Sequence, residues 1–479
     1  MIKISGNGLN RFGADLAGPH ARFYAFAAFM ILVFFTGGGS RDDVQSLVVL
    51  RPLAVLFGAY ALLCSRREHW KGRLFPLYIA VALSALMILQ SIPLPPSIWT
   101  ELAGREIFAE IADMAGIEQP WRPLTLSPSR TWNSLFSLVV PITAMMLYLN
   151  LERAHQKSAL AAIICLAIVS SLWGIFQLAG PPRGLLYLYN ITNNGSPVGL
   201  FSNRNHQSVF LAITIAMLGW YAATITPTTR LAALRYYGSI AAIFLFVPLI
   251  FLTGSRAGLI LLVPSVIAAT LMISFWRYSA ESRPSKTRVG GKARNFPSSR
   301  KLVALGSFVA IILVAVLSIY LSRSLAFDRL FSGGEPEELR DQLVPTLVKM
   351  MWDYFPWGSG MGTFEHIYKI YEPQELLRPS YLNQAHNDWL QLPIEGGLPV
   401  VLIGTAAIGW FLVKLFKLAP LWNRSHFARY TALMSAFVML CFLAASVGDY
   451  PLRVPSLIAV FGIMACVFND SVRHVERGK

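Results

Sequence analysis

Apolar stretches long enough to cross a bilayer recur along this 479-residue chain, parted by short polar segments and by one long one. A membrane-crossing helix needs about 20 predominantly apolar residues. Stretches near that length occur at 21–37, 46–64, 74–92, 132–150, 158–178, 206–224, 237–253, 257–275, 303–321, 398–416, 430–447 and 456–469. The pattern predicts an all-α polytopic membrane protein of about twelve transmembrane helices. Residues 1–321 hold the first nine with short loops, 322–397 form a helical cap, and 398–479 hold the last three and a tail.

The cap segment has a pattern of its own. Leu339, Leu343, Leu347 and Met351 recur at every fourth position, behind an acidic first turn with Pro336 at a helix start. The glycine turn GSGMGTF (358–364) is expected to be flexible. The stretch NQAHNDWLQLPIEGGLP (383–399) reads as a helix that places Asn383, His386, Asn387 and Leu390 on one stripe. Gly396 and Gly397 offer it a stop. Before the fourth span, the prolines of SIPLPPSIWTELAGR (91–105) keep a loop extended, and a short surface helix is expected within 107–131.

Composition sharpens this picture. With 55% hydrophobic residues, 14% charged residues and a mean hydropathy of +0.52, the chain is not a soluble globular protein. With the N-terminus inside, most of the 41 Lys and Arg fall on cytoplasmic segments and inner span ends, and most of the 25 Asp and Glu fall outside. Both termini are therefore expected to be cytoplasmic, and the cap extracytoplasmic. The net charge of +16 reflects this orientation, so nucleic acid is not an expected partner. Residues 276–302 form a basic inside loop, suited to anionic membrane lipids at about 1 kcal/mol per basic residue or serving as a topology anchor. The first span is read as a retained helix, because no small-residue cleavage site follows it. Cys64, Cys165, Cys441 and Cys466 lie in or at the ends of spans, with no disulfide framework and no metal-ligand spacing.

Only His206, His366 and His386 of the eight histidines fall on the outer side. His386, flanked by Asn383, Asn387 and Asp388, has polar neighbours that can fix its tautomer. It reads equally as a general base or as a core histidine bonded to a carbonyl. Arg256 sits in GSRAG between two apolar helices, where a charge is costly unless it faces a cavity; Ser255 can cap the second of them. Arg204, in NRNH, opens another span, and helix N-termini attract anions. Arg340 lies on the cap helix, where Glu337 and Asp341 can also pair with it. Together the three arginines suggest a site for a diphosphate or polyanion, whose oxygens guanidinium matches bidentately. Arg51, beside Pro52, is a buried candidate or the partner of a helix kink. Asp449 and Arg453, in GDYPLRVP, can neutralise each other.

No P-loop, no GxGxxG after a strand, no HExxH and no Asp-x-Asp pair is present. A donor used on the outer face must arrive already activated. The motifs in order are IPLPPSIW, GLFSNRNHQ before a span, LTGSRAG between two spans, then Arg340, FPWGSGMGTF, AHNDWLQ and EGGLPV, and finally GDYPLRVP. With their sidedness, they resemble the O-antigen ligase and polymerase superfamily of bacterial envelope glycan transferases, from about residue 90 onward.

That resemblance implies a multi-pass bacterial inner-membrane enzyme with its active site on the periplasmic face. Its donor would be an undecaprenyl-diphosphate-linked glycan, and its acceptor another glycan or lipid A-core. On the matching positions, Arg256 and Arg340 would hold the diphosphate and His386 would activate the acceptor hydroxyl, in an inverting reaction without metal or other cofactor. Arg204 is added from its own position. A transporter or flippase of the same anionic lipids is the alternative of a different class; it predicts inverted repeats and broken helices at corresponding positions, and the sequence shows no repeat.

Overall fold

The computed structural model describes residues 18–225, 229–281, 335–377, 382–419 and 426–477. Among these, nine helices are long and apolar enough to cross a membrane, and Leu47–Leu63 and Phe75–Gln90 are apolar but shorter. The chain is an all-α polytopic membrane protein, as the apolar pattern predicts. Every expected span but one coincides with one of these helices; the span at 303–321 lies outside the described residues. The only strands among the described residues are β1 (Pro93–Leu94) and β2 (Arg122–Pro123), which pair antiparallel across the expected proline loop.

The chain divides into two compact units. The first draws on the described residues of Met1–Leu151, Gly333–Lys414 and Leu443–Ile463, the second on those of Glu152–Ser332, Leu415–Phe442 and Met464–Lys479.

The first unit begins with α1 (Pro19–Thr36), α2 (Leu47–Leu63) and α3 (Phe75–Gln90). The short helix α4 (Glu106–Met114) follows, then α5 (Pro128–Ser137) and α6 (Val139–Leu149). α2 and α6 approach through a small residue, as membrane helices commonly do. A Cβ on Gly58 would meet Thr143 Oγ1 at 2.8 Å, and that hydroxyl donates to Ala54 O at 2.9 Å. Arg51 reaches from α2 to α5, donating to Asn133 Oδ1 at 2.7 Å.

The polar segment of this unit folds as α11 (Glu335–Asp353) and α12 (Phe364–Tyr371). In chain order, α7 to α10 belong to the second unit. Of the four-residue apolar repeat of α11, Leu343 and Leu347 turn inward and Met351 is partly buried, while Met350 takes the inner place beside it; these pack with Tyr354, Phe364, Ile367 and Tyr368, and Ala385 and Ile394 close the cluster. Burying a side chain of this size contributes about 1.5–3 kcal/mol. The cluster thus ties the segment to the start of α13 (Asp388–Leu418).

The second unit contains α7 (Arg153–Ala179), α8 (Arg204–Ala223), α9 (Arg230–Thr253) and α10 (Arg256–Glu281). α8 is buried along almost its whole length. α8 and α10 run parallel with little between them: a Cβ added to Gly258 would strike Ser208, and one added to Gly219 would strike Ala269. Both pairs are fifty residues apart, so the two helices keep one register over three turns. The unit also takes in most of α14 (His426–Ala445), where Trp220 Nε1 donates to Thr431 Oγ1 at 3.0 Å. The last helix is α15 (Pro455–Glu476).

Candidate functional site

The first unit builds its site around a break in α13. Gly397 has φ +58, which splits the helix into two pieces on either side of it. The break releases backbone groups that a low-dielectric setting cannot leave unpaired. The GSGMGTF turn takes them up. Ser359 N donates to Ile394 O at 2.9 Å, Gly360 N donates to Glu395 O at 2.9 Å, and Leu398 N donates to Pro356 O at 2.7 Å. Gln90, buried at the end of α3, donates from Nε2 to Glu395 O and accepts from Met361 N. Buried Arg105 donates to Gly358 O at 2.7 Å and to Leu124 O at 2.6 Å. Burial pulls its guanidinium down to about 10, with Tyr354 and Glu106 opposing the shift.

The turn expected to be flexible is therefore a fitted plug. Gly358, at φ +77, faces Gly397 so closely that a Cβ on either would collide with the other's backbone. Glycine is needed there for both reasons.

His386 sits just upstream of this broken helix, and not on it. α13 begins at Asp388, capped by Asn387, whose Oδ1 accepts from Leu390 N at 3.2 Å. Gln391 Oε1 accepts from Ala385 N at 2.8 Å, and Gln391 Nε2 donates to Gln384 Oε1 at 2.6 Å. These bonds fold the preceding residues back over the first turn, so no helix extends through Asn383, which lies half-buried on the loop. The expected stripe of Asn383, His386 and Asn387 is thereby corrected. His386 itself has φ +52, the only non-glycine residue with positive φ among those described. A left-handed conformation costs an L-residue about 1–2 kcal/mol, and such outliers gather at functional sites.

The strained turn brings the imidazole beside Asp449, close to but short of a hydrogen bond. Nδ1 lies 3.4 Å from Asp449 Oδ1, with Asp449 1% exposed and His386 17% exposed. The Tyr450 ring stands 4.7 Å away, tilted by 59°. Were Nδ1 to donate to this carboxylate, Nε2 would be the ring atom left to accept a proton. Such a pair can serve as a base and its orienting acid once the separation shortens to hydrogen-bond distance.

Asp388, expected as the partner of His386, faces elsewhere. Arg453 Nε donates to Asp388 Oδ1 at 2.7 Å, and its other nitrogens reach Glu395 Oε2 at 3.3 and 3.4 Å. Burial alone would pull the Arg453 guanidinium down, but the Glu395 and Asp388 carboxylates outweigh it and hold it above the usual arginine range. Glu395 Oε1 accepts further from Gln391 Nε2 at 3.0 Å and from Phe364 N at 3.2 Å. Asp449 and Arg453 thus do not neutralise each other, because each is matched to a different residue around the start of α13. From the sequence, Asp449 reads only as a counter-ion of Arg453, and Glu395 and Tyr450 have no role; the motifs that hold them, GDYPLRVP and EGGLPV, were the available signal.

The second unit carries Arg204 and Arg256 at equivalent positions. Asn203 Oδ1 accepts from Asn205 N at 2.9 Å and caps α8, so Arg204 is its first residue. Ser255 Oγ accepts from Gly258 N at 3.2 Å and caps α10, so Arg256 is its first residue. Gly254, at φ +61, makes the reversal that lets α10 start beside α8. The shared register sets Arg256 level with His206 and Arg204 about 3 Å further along, at 1.5 Å per residue. Two parallel helix N-termini, each led by a half-buried arginine, form an anion-attracting corner. Arg340 lies on the backbone of α11, and its side chain is outside the described residues. His366 is engaged elsewhere: its Nδ1 is 3.1 Å from Ser127 Oγ, and Arg130 Nε donates to its Nε2 at 3.3 Å.

Residues 240–405 match the family model described as O-antigen ligase. The match bears out the resemblance to the O-antigen ligase and polymerase superfamily, and it supports glycan transfer of that general type. It spans Arg256, Arg340 and His386, and it stops before Asp449 and Arg453. A comparison with curated proteins finds no match.

Proposed function

We propose that this protein is an inverting, metal-independent glycan transferase of the bacterial inner membrane, working on the periplasmic face. Its donor is a glycan linked to undecaprenyl diphosphate. Its acceptor is a hydroxyl of another lipid-linked glycan or of lipid A-core. His386 Nε2 takes the proton of that hydroxyl while the oxygen attacks the anomeric carbon. The new C–O bond forms as the bond from that carbon to the diphosphate breaks, with inversion. The electron pair leaves on the diphosphate, where Arg204, Arg256 and Arg340 stabilise the growing charge.

Asp449 orients the ring and stabilises the imidazolium that forms. Asn387 positions His386 by starting α13 one residue later, and Asp388 holds that start through Arg453. The observation that carries this reading is the strained His386 held 3.4 Å from the buried Asp449 carboxylate. A base so placed contributes on the order of 10²–10⁴-fold.

The test is incubation of purified protein in lipid nanodiscs with lipid-linked glycan and candidate acceptors. Longer chains on the lipid identify a polymerase, and glycan on lipid A-core identifies a ligase. Intact donor under every acceptor would overturn the transferase reading, and donor crossing a sealed bilayer unchanged would replace it with transport.

A further inference from the structure

The first unit holds a second feature that transfer chemistry at His386 leaves unused. An open cleft of about 740 Å³ lies between α4 and the α11–α12 pair, a size in the usual range for small-molecule sites of 300–1,000 Å³. Glu106, Glu110 and Asp353 line it against a single cation, Lys349. Tyr371 supplies its aromatic side, backed edge to face at 6.1 Å by the buried ring of Tyr354. Lys349 Nζ lies 5.7 Å from the Tyr371 ring centroid. Burial raises the Tyr371 hydroxyl well above its usual range, with Tyr354 adding to the effect, so it stays a neutral donor and acceptor.

The chemistry selects a ligand class. Three carboxylates against one ammonium repel a diphosphate, so the cleft is not a second anion site. Glu106 and Glu110 stand one helical turn apart on α4, both exposed. Carboxylates facing solvent in a cleft accept strongly from hydroxyl groups. A tyrosine ring offers a flat apolar face for the C–H side of a pyranose, and its hydroxyl adds a polar handle.

We propose that this cleft binds a neutral stretch of the glycan substrate, several sugars removed from the bond being made. This rests on the transferase reading and extends it. The cleft is wired to the His386 turn. Tyr354 packs in the same buried cluster as Ala385, the residue before His386, and Tyr354 O accepts from Gly358 N of the glycine plug at 2.8 Å. Sugars held in the cleft therefore rest on the elements that position the base.

The experiment uses full-length His386→Ala protein in nanodiscs, which binds glycan without turning it over. The probe is lipid-free oligosaccharide released by mild acid from the host's own lipid-linked pool, separated into neutral and acidic size fractions. Dissociation constants for neutral fractions are compared in this parent, in Glu106→Lys/Glu110→Lys, in Tyr371→Ala, and in the exposed control Glu375→Lys. The expected result is at least tenfold weaker binding in the first two variants, growing with oligosaccharide length, and parental binding in the control. The proposal is overturned if the cleft variants bind like the parent, if the parent binds no neutral fraction, or if it prefers the acidic ones. Failure of the transferase reading would appear separately, as absence of transfer by wild-type protein.

Discussion

If His386 and Asp449 act as one unit, their substitutions should not multiply. His386→Asn removes the proton acceptor but keeps a side chain that tolerates positive φ, so the turn survives. Loss of a general base is expected to slow transfer by about 10²–10⁴-fold, or about 2.7–5.4 kcal/mol at 1.36 kcal/mol per tenfold. Asp449→Asn leaves the base but removes the carboxylate 3.4 Å from its Nδ1, and its cost should be smaller than that of His386→Asn. Because Asp449 acts through His386, the double variant should be no slower than His386→Asn alone. The coupling energy would then equal the whole effect of Asp449→Asn. The assay is the initial rate of glycan transfer from lipid-linked donor, with thermal midpoints measured in parallel. Rates that multiply would refute the pairing, and more than a tenth of wild-type activity in His386→Asn would remove it from the chemistry.

Arg256→Ala is expected to slow transfer by about 10²–10³-fold, the usual cost of one donor to a developing anion. Arg256→Lys should recover only part of this, because a point charge lacks the two parallel N–H groups; full recovery in the same assay would refute bidentate phosphate binding. Arg453→Met leaves Glu395 and Asp388 buried without their cation, at a cost of about 3–5 kcal/mol, so an unchanged thermal midpoint would contradict the brace. Burial, and then the Arg130 charge, hold the His366 imidazole below its usual range. The unfolded chain therefore binds the proton more readily, and the contribution of His366 to stability is lost as pH falls below about 6.5 toward the folded-state value. His366→Gln should flatten that acid limb of the thermal midpoint, and an unaltered limb would assign it to other groups.

The bilayer is why so much of the fold was readable. A helix in hydrocarbon must satisfy its backbone internally, so its sequence is a long apolar run and little else. For the same reason Ser255 could be read as a cap and α4 as a short surface helix. The polar segments obey no such rule. His386 carries a helical spacing with Asn383 and Asn387, and the spacing misleads because Gln391 folds the chain back before the helix starts. GSGMGTF looks flexible by composition, yet its glycines serve close approach to a broken helix. Side chains that meet across sixty residues, such as His386 with Asp449, leave no periodicity in either segment.

The segment from Asp449 to Arg453 explains why Asp449, and no nearer acid, serves the histidine. Three carboxylates surround the start of α13, and a histidine beside all of them would have no single orientation. Arg453 occupies two, Asp388 and Glu395, and so removes them as competing acceptors for the imidazole. Asp449, four residues earlier on the same short segment, is left to face Nδ1. One stretch thus makes two crossed attachments, acid to histidine and arginine to acids, and neither can shift without straining the other. Shifting the segment by one residue would take Asp449 away from Nδ1 and Arg453 away from its carboxylates together. The loss would therefore fall on stability and on ring orientation at once.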